Sequence, residues 1–450
     1  MQVLSSIVNS ILGLGAIIFI PIILLIIGLV AGLKPGRALG AALLFGCAFA
    51  GVSMVISFLT TNVGAAAQAF VKAHGLKLVA LDIGGFTVSS FVMQWSFAFL
   101  VFPLQIGLNI LLLALGKTKT MNVDMWNVTQ KILTAYMVVT VSHNVIIAFV
   151  IATAQIIIEL KIADATRKDV QELTGIPGIS VPHAHVLNCI WFYPLNKLYD
   201  KILPTKRKID VAALKEKIGI FGENQVLGFI VGSLIGFFGG YPVAKALTVG
   251  IQAATALTLL PMAIGLFPRA LVPISEAAQK LVEKRFPGKE IVVGLDWPVL
   301  AGGSEIWVVE IVSVPIILAI SMVLPGNIVL PFATLLASSA VVPAYLAFKG
   351  DIIKMFITNL FAIPVFLWIS SYFVPMFTEI AKVVGATSGM DAGSMVSWYA
   401  INISTIRWMV CEVTKFNPLA IGLVVLYAIF AVWFFKGKAK ENLAREEAAM

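Results

Sequence analysis

Apolar runs long enough to cross a lipid bilayer recur along the whole chain, separated by short segments rich in Gly, Pro, Lys and Arg. A hydrocarbon core takes about 20 apolar residues per helix. On that measure spans are predicted at residues 3–30, 38–59, 91–115, 132–160, 226–238, 244–266, 306–324, 328–348, 352–373, 395–411 and 419–435. The pattern is that of an all-α protein, a polytopic transmembrane helical bundle of about eleven spans, several short enough to be half-helices of discontinuous crossings. A single integral membrane domain covers 1–450, with a polar insertion at 161–219 and a charged tail at 436–450.

Two stretches interrupt the helical pattern. Residues 290–305, Glu-Ile-Val-Val-Gly-Leu-Asp-Trp-Pro-Val-Leu-Ala-Gly-Gly-Ser-Glu, are too rich in Gly and Pro to continue into the apolar helix that follows. They predict a re-entrant element, which is tolerated at membrane depth only where protein or a watered cavity satisfies its backbone. Gly294, Gly302 and Gly303 let that backbone approach a solute, and Asp296 stands beside it with Ser304 and Glu305. An ionised Asp at mid-bilayer costs roughly 2.5 to 3.5 kcal/mol on insertion scales, so it needs a partner or a use. The second stretch, Asp82-Ile-Gly-Gly-Phe-Thr87-Val-Ser-Ser90, likewise joins an acid to glycines and hydroxyls.

The remaining polar groups inside apolar runs are few. His143 and Asn144 fall within the predicted 132–160 span, and His183 follows Pro182 in the broken segment Gly175-Ile-Pro-Gly-Ile-Ser-Val-Pro-His-Ala-His185. An ionisable residue within a span points to function, and an imidazole can bond a sugar hydroxyl or act as a base. Glu223 and Glu310 are further acids near candidate cavities. Gly228, Gly232, Gly236 and Gly240 recur every four residues, a small-residue seam where another helix can approach closely.

Composition agrees with the membrane reading: 59% of residues are hydrophobic, 12% are charged, and mean hydropathy is +0.97, against roughly 25% charged in a soluble domain. The net charge of +9 suits positive-inside loops, and no aromatic-interleaved basic stripe points to nucleic acid. Cys47, Cys189 and Cys411 are scattered through apolar sequence and form neither a disulfide framework nor a metal motif. No motif calls for a cofactor. Positive-inside bookkeeping does not close, however. With Lys117 and Lys119 cytoplasmic, a single span at 132–160 carries Lys161 to the other side. A broken crossing at 175–194, with His183 near the midplane, repairs this but strands Lys436, Lys438 and Lys440 outside.

Several segments together resemble the membrane IIC component of the bacterial phosphoenolpyruvate-dependent sugar phosphotransferase system, galactitol family. They are Asn122-Val-Asp-Met-Trp-Asn127, Gly178-Ile-Ser-Val-Pro-His183, Phe221-Gly-Glu223, Gly240-Tyr-Pro-Val243, Gly294-Leu-Asp296, and Pro325-Gly-Asn327 with Leu330-Pro331. The resemblance implies a homodimeric carrier in the bacterial inner membrane that binds a sugar or polyol from outside. It implies an elevator-like shift of a core domain against a dimerisation domain, and phosphorylation of the solute by a soluble IIB protein. IIB carries its phosphate on cysteine and is charged by IIA. His183 and Asp296 inherit the substrate and proton-accepting roles. Beside the pocket this chain departs from galactitol members, with Ala184-His185 in place of Gly-Thr and Ser304-Glu305 in place of His-Thr. An ion-coupled secondary transporter is the alternative that broken helices and buried acids also allow.

Overall fold

The computed structural model describes residues 16–122, 124, 126–203, 219–285, 291–335, 340–384 and 395–449. The basic residues Lys206, Arg207, Lys208, Lys215, Lys217 and Lys289 lie outside them. Helices α1 (Ala16–Val30) and α2 (Pro35–Ala73) open the chain, followed by strand β1 (Ala80–Asp82), α3 (Gly85–Val92) and α4 (Ala98–Ala114). Strand β2 (Thr120–Asn122) leads into α5 (Trp126–Ser142) and α6 (Val145–Thr174), then strand β3 (Ile179–Ser180), a 3-10 turn (Ala184–Leu187) and α7 (Asn188–Ile202). Helices α8 (Asn224–Phe238), α9 (Val243–Ile264) and α10 (Leu266–Arg285) come next. Strand β4 (Val292–Gly294), a 3-10 turn (Trp297–Gly302), α11 (Ser304–Val323), β5 (Val329–Leu330), α12 (Val341–Ala347) and α13 (Ile352–Tyr372) follow. The described chain ends with α14 (Val374–Val383), β6 (Met395–Ser397), α15 (Ser404–Val413) and α16 (Pro418–Ala449). Six of the described helices are long and apolar enough to cross a membrane: α2, α6, α9, α11, α13 and α16.

The helical expectation holds, with one class of element added. The broken segments form two small sheets, each of three parallel strands, in the orders β5-β1-β6 and β2-β4-β3. Strand pairing satisfies backbone groups that would otherwise be orphaned in lipid. Runs of two or three residues carry no readable alternation, so sequence periodicity could not announce them. Each central strand is flanked by strands from the other half of the chain: β1 by β5 and β6, β4 by β2 and β3.

The segment 132–160 is not one span. Helix α5 ends at Ser142, His143 takes a left-handed φ of 54°, and Asn144 caps α6 by accepting the Ile147 N–H at 3.1 Å. Beyond this turn the chain comes back. Lys161 Nζ donates to the Lys117 carbonyl, and Asp164 Oδ1 accepts the backbone N–H groups of Lys119 and Thr120 at 3.1 and 3.0 Å. The segment entering β2 and the C-terminal part of α6 therefore share a face, with His143 and Asn144 exposed at the opposite end of the hairpin.

The basic tail closes onto that same face. Asp169 of α6 meets Lys438 and Arg445 of α16 at 2.7 Å each and Lys349 at 3.6 Å, and Lys197 of α7 meets Glu441 at 3.6 Å. Lys117, Lys161, Lys197, Lys349 and the tail thus stand together, which the positive-inside rule assigns to the cytoplasm. The turn at His143 removes the mismatch at Lys161, which stands on the same face as Lys117. Residues 175–202 enter from the basic face and return to it, since Asp169 and Lys197 are both tied to α16. At the other end of α13, Tyr372 donates to Glu412 and accepts from Lys415, so β6 and α15 form a hairpin anchored at the far face. Parallel pairing then means that β2, β3 and β4 enter from the basic face and β1, β5 and β6 from the opposite one. Each half thus contributes one central strand to one sheet and two flanking strands to the other.

Helices α1, α2, α8, α9 and α10 pack mainly on one another. The glycine seam explains how closely α8 meets α9. A Cβ on Gly228, Gly232 or Gly236 would stand 2.7 Å from Ala254 Cα, 2.5 Å from Ala253 Cβ and 2.8 Å from Ala246 Cα. Gly240 is not part of the seam; it turns the chain after α8 with φ of 80°. Phe267 of α10 stacks on Trp126 of α5 with ring centroids 5.1 Å apart, joining this unit to the sheet-bearing one.

Candidate functional site

The tip of the β2-β4-β3 sheet gathers the residues singled out from the broken segments. Gly294 is needed there because a Cβ would lie 2.6 Å from Pro182 Cγ. The close contact sets Asp296 opposite His183, with Asp296 Oδ1 at 3.6 Å from His183 Nε2. His183 is fully buried, and its Nδ1 accepts the His185 N–H at 3.2 Å. An imidazole nitrogen that accepts carries no proton, so in the neutral ring the proton sits on Nε2, facing the carboxylate. Asp296 also caps the following 3-10 turn by accepting the Trp297 N–H at 2.7 Å. Asn122 holds Pro182 through a bond from its Nδ2 to the Pro182 carbonyl at 3.2 Å, and Asn127 Nδ2 donates to Asn122 Oδ1 at 3.1 Å. Asp124 accepts the N–H groups of Trp126 and Asp296. The asparagines and Asp124 make the motif 122–127 the brace of this tip.

At the tip of the other sheet Asp82 is fully buried and fully engaged. Its Oδ1 accepts the N–H groups of Gly84 and Tyr399 at 3.1 Å each. Its Oδ2 accepts Phe332 N–H at 3.1 Å, Thr334 N–H at 2.8 Å and the Thr334 hydroxyl at 2.5 Å. Asp82 is thereby a clasp joining the ends of β1, β5 and β6, with its acceptor sites taken up by protein donors. Thr87, also buried, has a hydroxyl without a protein partner.

Between the tips lies a cavity of about 50 Å³, bounded by the indoles of Trp126, Trp297, Trp307 and Trp398. Gly85 makes room for Trp398, whose Cζ2 would be 2.1 Å from a Cβ there. Polar groups from both tips reach the same space: Ser89, Gln130, His185, Glu310, Thr334 and Asn402. The Ser89 hydroxyl and the Trp398 indole N–H, both buried, have no hydrogen-bond partner in the protein. Buried polar atoms are seldom left so, and a solute rich in hydroxyls would satisfy both. His185 stacks on His183 at 4.7 Å and faces Trp297 at 5.6 Å, linking the His183–Asp296 pair to the cavity wall.

The structure brings together His183 and Asp296, places Asp82 and Thr87 at the facing tip, and sets the others apart. Ser304 and Glu305 begin α11, where Gly303 abuts the Tyr345 ring and Glu305 points toward Gly350 rather than into the cavity lining. His143 and Asn144 stand at the far end of the α5–α6 hairpin. The tryptophans, Gln130 and Asn402 escaped the sequence reading. Trp398 directly follows β6, and Trp297 opens the 3-10 turn right after Asp296; the adjacency of Trp297 to that acid was the available signal.

Broken segments meeting at an aromatic, mixed-polarity cavity inside an apolar helical bundle are the arrangement expected of a membrane carrier for a small polar solute. The chain belongs to the EIIC-GAT family, the PTS system sugar-specific permease components, which matches residues 10–393. It is 30% identical to the "Putative permease IIC component" of Escherichia coli K12 over 94% of this chain and 97% of that one. It is 28% identical to the PTS system galactitol-specific EIIC component of the same strain, over 95% of this chain and 96% of that protein. The family settles the choice left open by the sequence in favour of a phosphotransferase permease over an ion-coupled carrier.

Proposed function

We propose that this permease carries a polyol or closely related sugar, galactitol among the candidates, binding it between the two sheet tips while a IIB protein phosphorylates it. The observation that supports this most is the wall chemistry. Indole faces suit the C–H faces of a polyol, while Ser89 and the Trp398 N–H await hydroxyl partners. A cavity of about 50 Å³ is far smaller than the roughly 300 Å³ and upward of pockets that enclose a small-molecule ligand. Admitting a polyol therefore requires the tips to part.

In this reading the solute hydroxyl attacks the phosphorus of IIB phosphocysteine. The new O–P bond forms as the S–P bond breaks, the thiolate leaves, and the hydroxyl proton passes to Asp296, with the His183 Nε2–H steadying the carboxylate. The phosphorylated product gains about two negative charges and is retained in the cytoplasm. IIA recharges IIB. The sheet-bearing unit would move as an elevator against α1, α2 and α8–α10, which would supply the homodimer contact. The basic cytoplasmic face would receive IIB. The test is uptake of labelled hexitols in cells supplying IIA and IIB: accumulation of phosphorylated solute, insensitive to ionophore, supports the proposal, and accumulation of unmodified solute defeats it.

A further inference from the structure

Arg407 is among the most deeply buried side chains of the protein, with 0% exposure, and every acceptor given to its guanidinium is neutral. From α15 it reaches across to α5: Nε donates to Thr134 Oγ1 at 3.0 Å, Nη1 to the Asn402 carbonyl at 2.8 Å, and Nη2 to the Gln130 carbonyl at 2.9 Å and to Gln130 Oε1 at 3.0 Å. Gln130 Oε1 also accepts Asn402 Nδ2 at 3.3 Å. Gln130 and Asn402 both line the cavity. Two donors on one amide oxygen fix which end of the Gln130 amide is which. Its oxygen is held toward Arg407, which leaves the NH₂ as the end of this cavity-lining side chain not bound to Arg407.

We propose that Arg407 is a positioning and specificity-determining residue, which locks Gln130 so that this wall of the cavity donates hydrogen bonds to solute oxygens. The inference rests on the polyol reading above. Arg407 itself does not line the cavity; it acts through Gln130 and Asn402. Lysine in its place keeps the charge but lacks the planar fork that serves four acceptors at once.

The experiment compares wild type, Arg407→Lys, Gln130→Ala and the double variant in nanodiscs, titrated with galactitol, D-glucitol and D-mannitol and followed by tryptophan fluorescence and thermal shift. The same set is then tested for IIA- and IIB-dependent phosphorylation. Loss of one neutral hydrogen bond to the solute predicts a Kd and KM about 3- to 10-fold higher in Arg407→Lys with kcat little changed. The double variant should be no weaker than Gln130→Ala, because both substitutions remove the same donor. Additive losses, or an unchanged KM with only a lower melting temperature, overturn the assignment and leave Arg407 a strut. Should Arg407→Lys fail to fold, Gln130→Glu decides: it replaces the donor by an acceptor beside an intact arginine, and unaltered affinity there also overturns it. No response of wild type to any hexitol defeats the polyol reading and this inference together, whereas a wild-type response with unaltered variants defeats this inference alone.

Discussion

One aspartate stands near the end of each central strand, Asp82 fully buried and Asp296 partly so, and the structure separates their duties sharply enough to be tested by matched substitutions. Asp82→Ala removes the acceptor for the backbone N–H groups of Gly84, Phe332, Thr334 and Tyr399 and for the Thr334 hydroxyl. Each buried donor left without a partner costs about 1 to 3 kcal/mol. With four such amides, and with water able to reach some of them, the loss is about 4 kcal/mol at the low end, a large share of a typical folding free energy. Asp296 holds one backbone N–H within its own turn, that of Trp297, so Asp296→Asn, which keeps an acceptor oxygen, should cost less than about 1 kcal/mol. The assay is a thermal scan of each purified variant in one detergent, alongside phosphoenolpyruvate-dependent uptake. Asp82→Ala should unfold markedly earlier or fail to accumulate in the membrane. Asp296→Asn should accumulate normally, melt near wild type and take up no solute. An Asp82→Ala protein as stable as wild type, or an Asp296→Asn protein with near-normal uptake, would refute the division of labour.

Further outcomes follow from the same geometry. In a Cys47→Ser background, His143→Cys should react with a membrane-impermeant maleimide from outside intact cells and Lys197→Cys only after lysis; the reverse pattern would invert the orientation. Gly232→Leu should block the approach of α8 to α9, whose Ala253 Cβ leaves no room for even one added carbon, and lower the melting temperature by several degrees. Asp169→Asn should weaken the hold on Lys438 and Arg445, although Lys438 keeps Glu441 at 2.9 Å, and protease cleavage within 436–449 should rise.

How much of this was legible beforehand depended on the length scale of the signal. Long apolar runs announced the helices, since a membrane helix must be apolar over some twenty residues whatever its neighbours. Gly294 and Asp296 announced the hairpin because a glycine-bearing, acid-containing interruption has few uses in lipid. Pro182-His183 fell to the same reasoning. The six short strands were invisible because parallel pairing is decided between segments up to hundreds of residues apart, as for Ala80 with Met395. His143 misled because a polar residue inside an apolar run marks a site or a turn with equal force. The left-handed φ and the Asn144 cap, visible only in three dimensions, decide for the turn. Asp82 looked like a solute ligand for the same reason that Asp296 did. What distinguishes them is the number of donors the fold delivers to each carboxylate, and those donors come from Phe332, Thr334 and Tyr399, remote in sequence.

The exchange of strands between the halves limits how the cavity can open. Because β1 is held between β5 and β6, and β4 between β2 and β3, prying the N-terminal and C-terminal halves apart would break both sheets and expose their backbone groups at membrane depth, a cost of several kcal/mol. Opening by separation of the two halves is therefore the expensive route. Two cheaper movements remain: a swing of the indoles of Trp398, which follows β6, and Trp297, which opens the 3-10 turn after β4, and a displacement of the sheet-bearing unit as one body against α1, α2 and α8–α10. The second movement meets a smooth boundary at Phe267 and Trp126, where flat rings stack. A bulky β-branched residue at Phe267 should slow transport while leaving solute affinity intact, whereas a gate substitution at Trp398 should alter affinity first. Measuring equilibrium binding and uptake rate on the two variants separates the motions, and loss of affinity in the Phe267 variant would argue against displacement of the unit as the transport step.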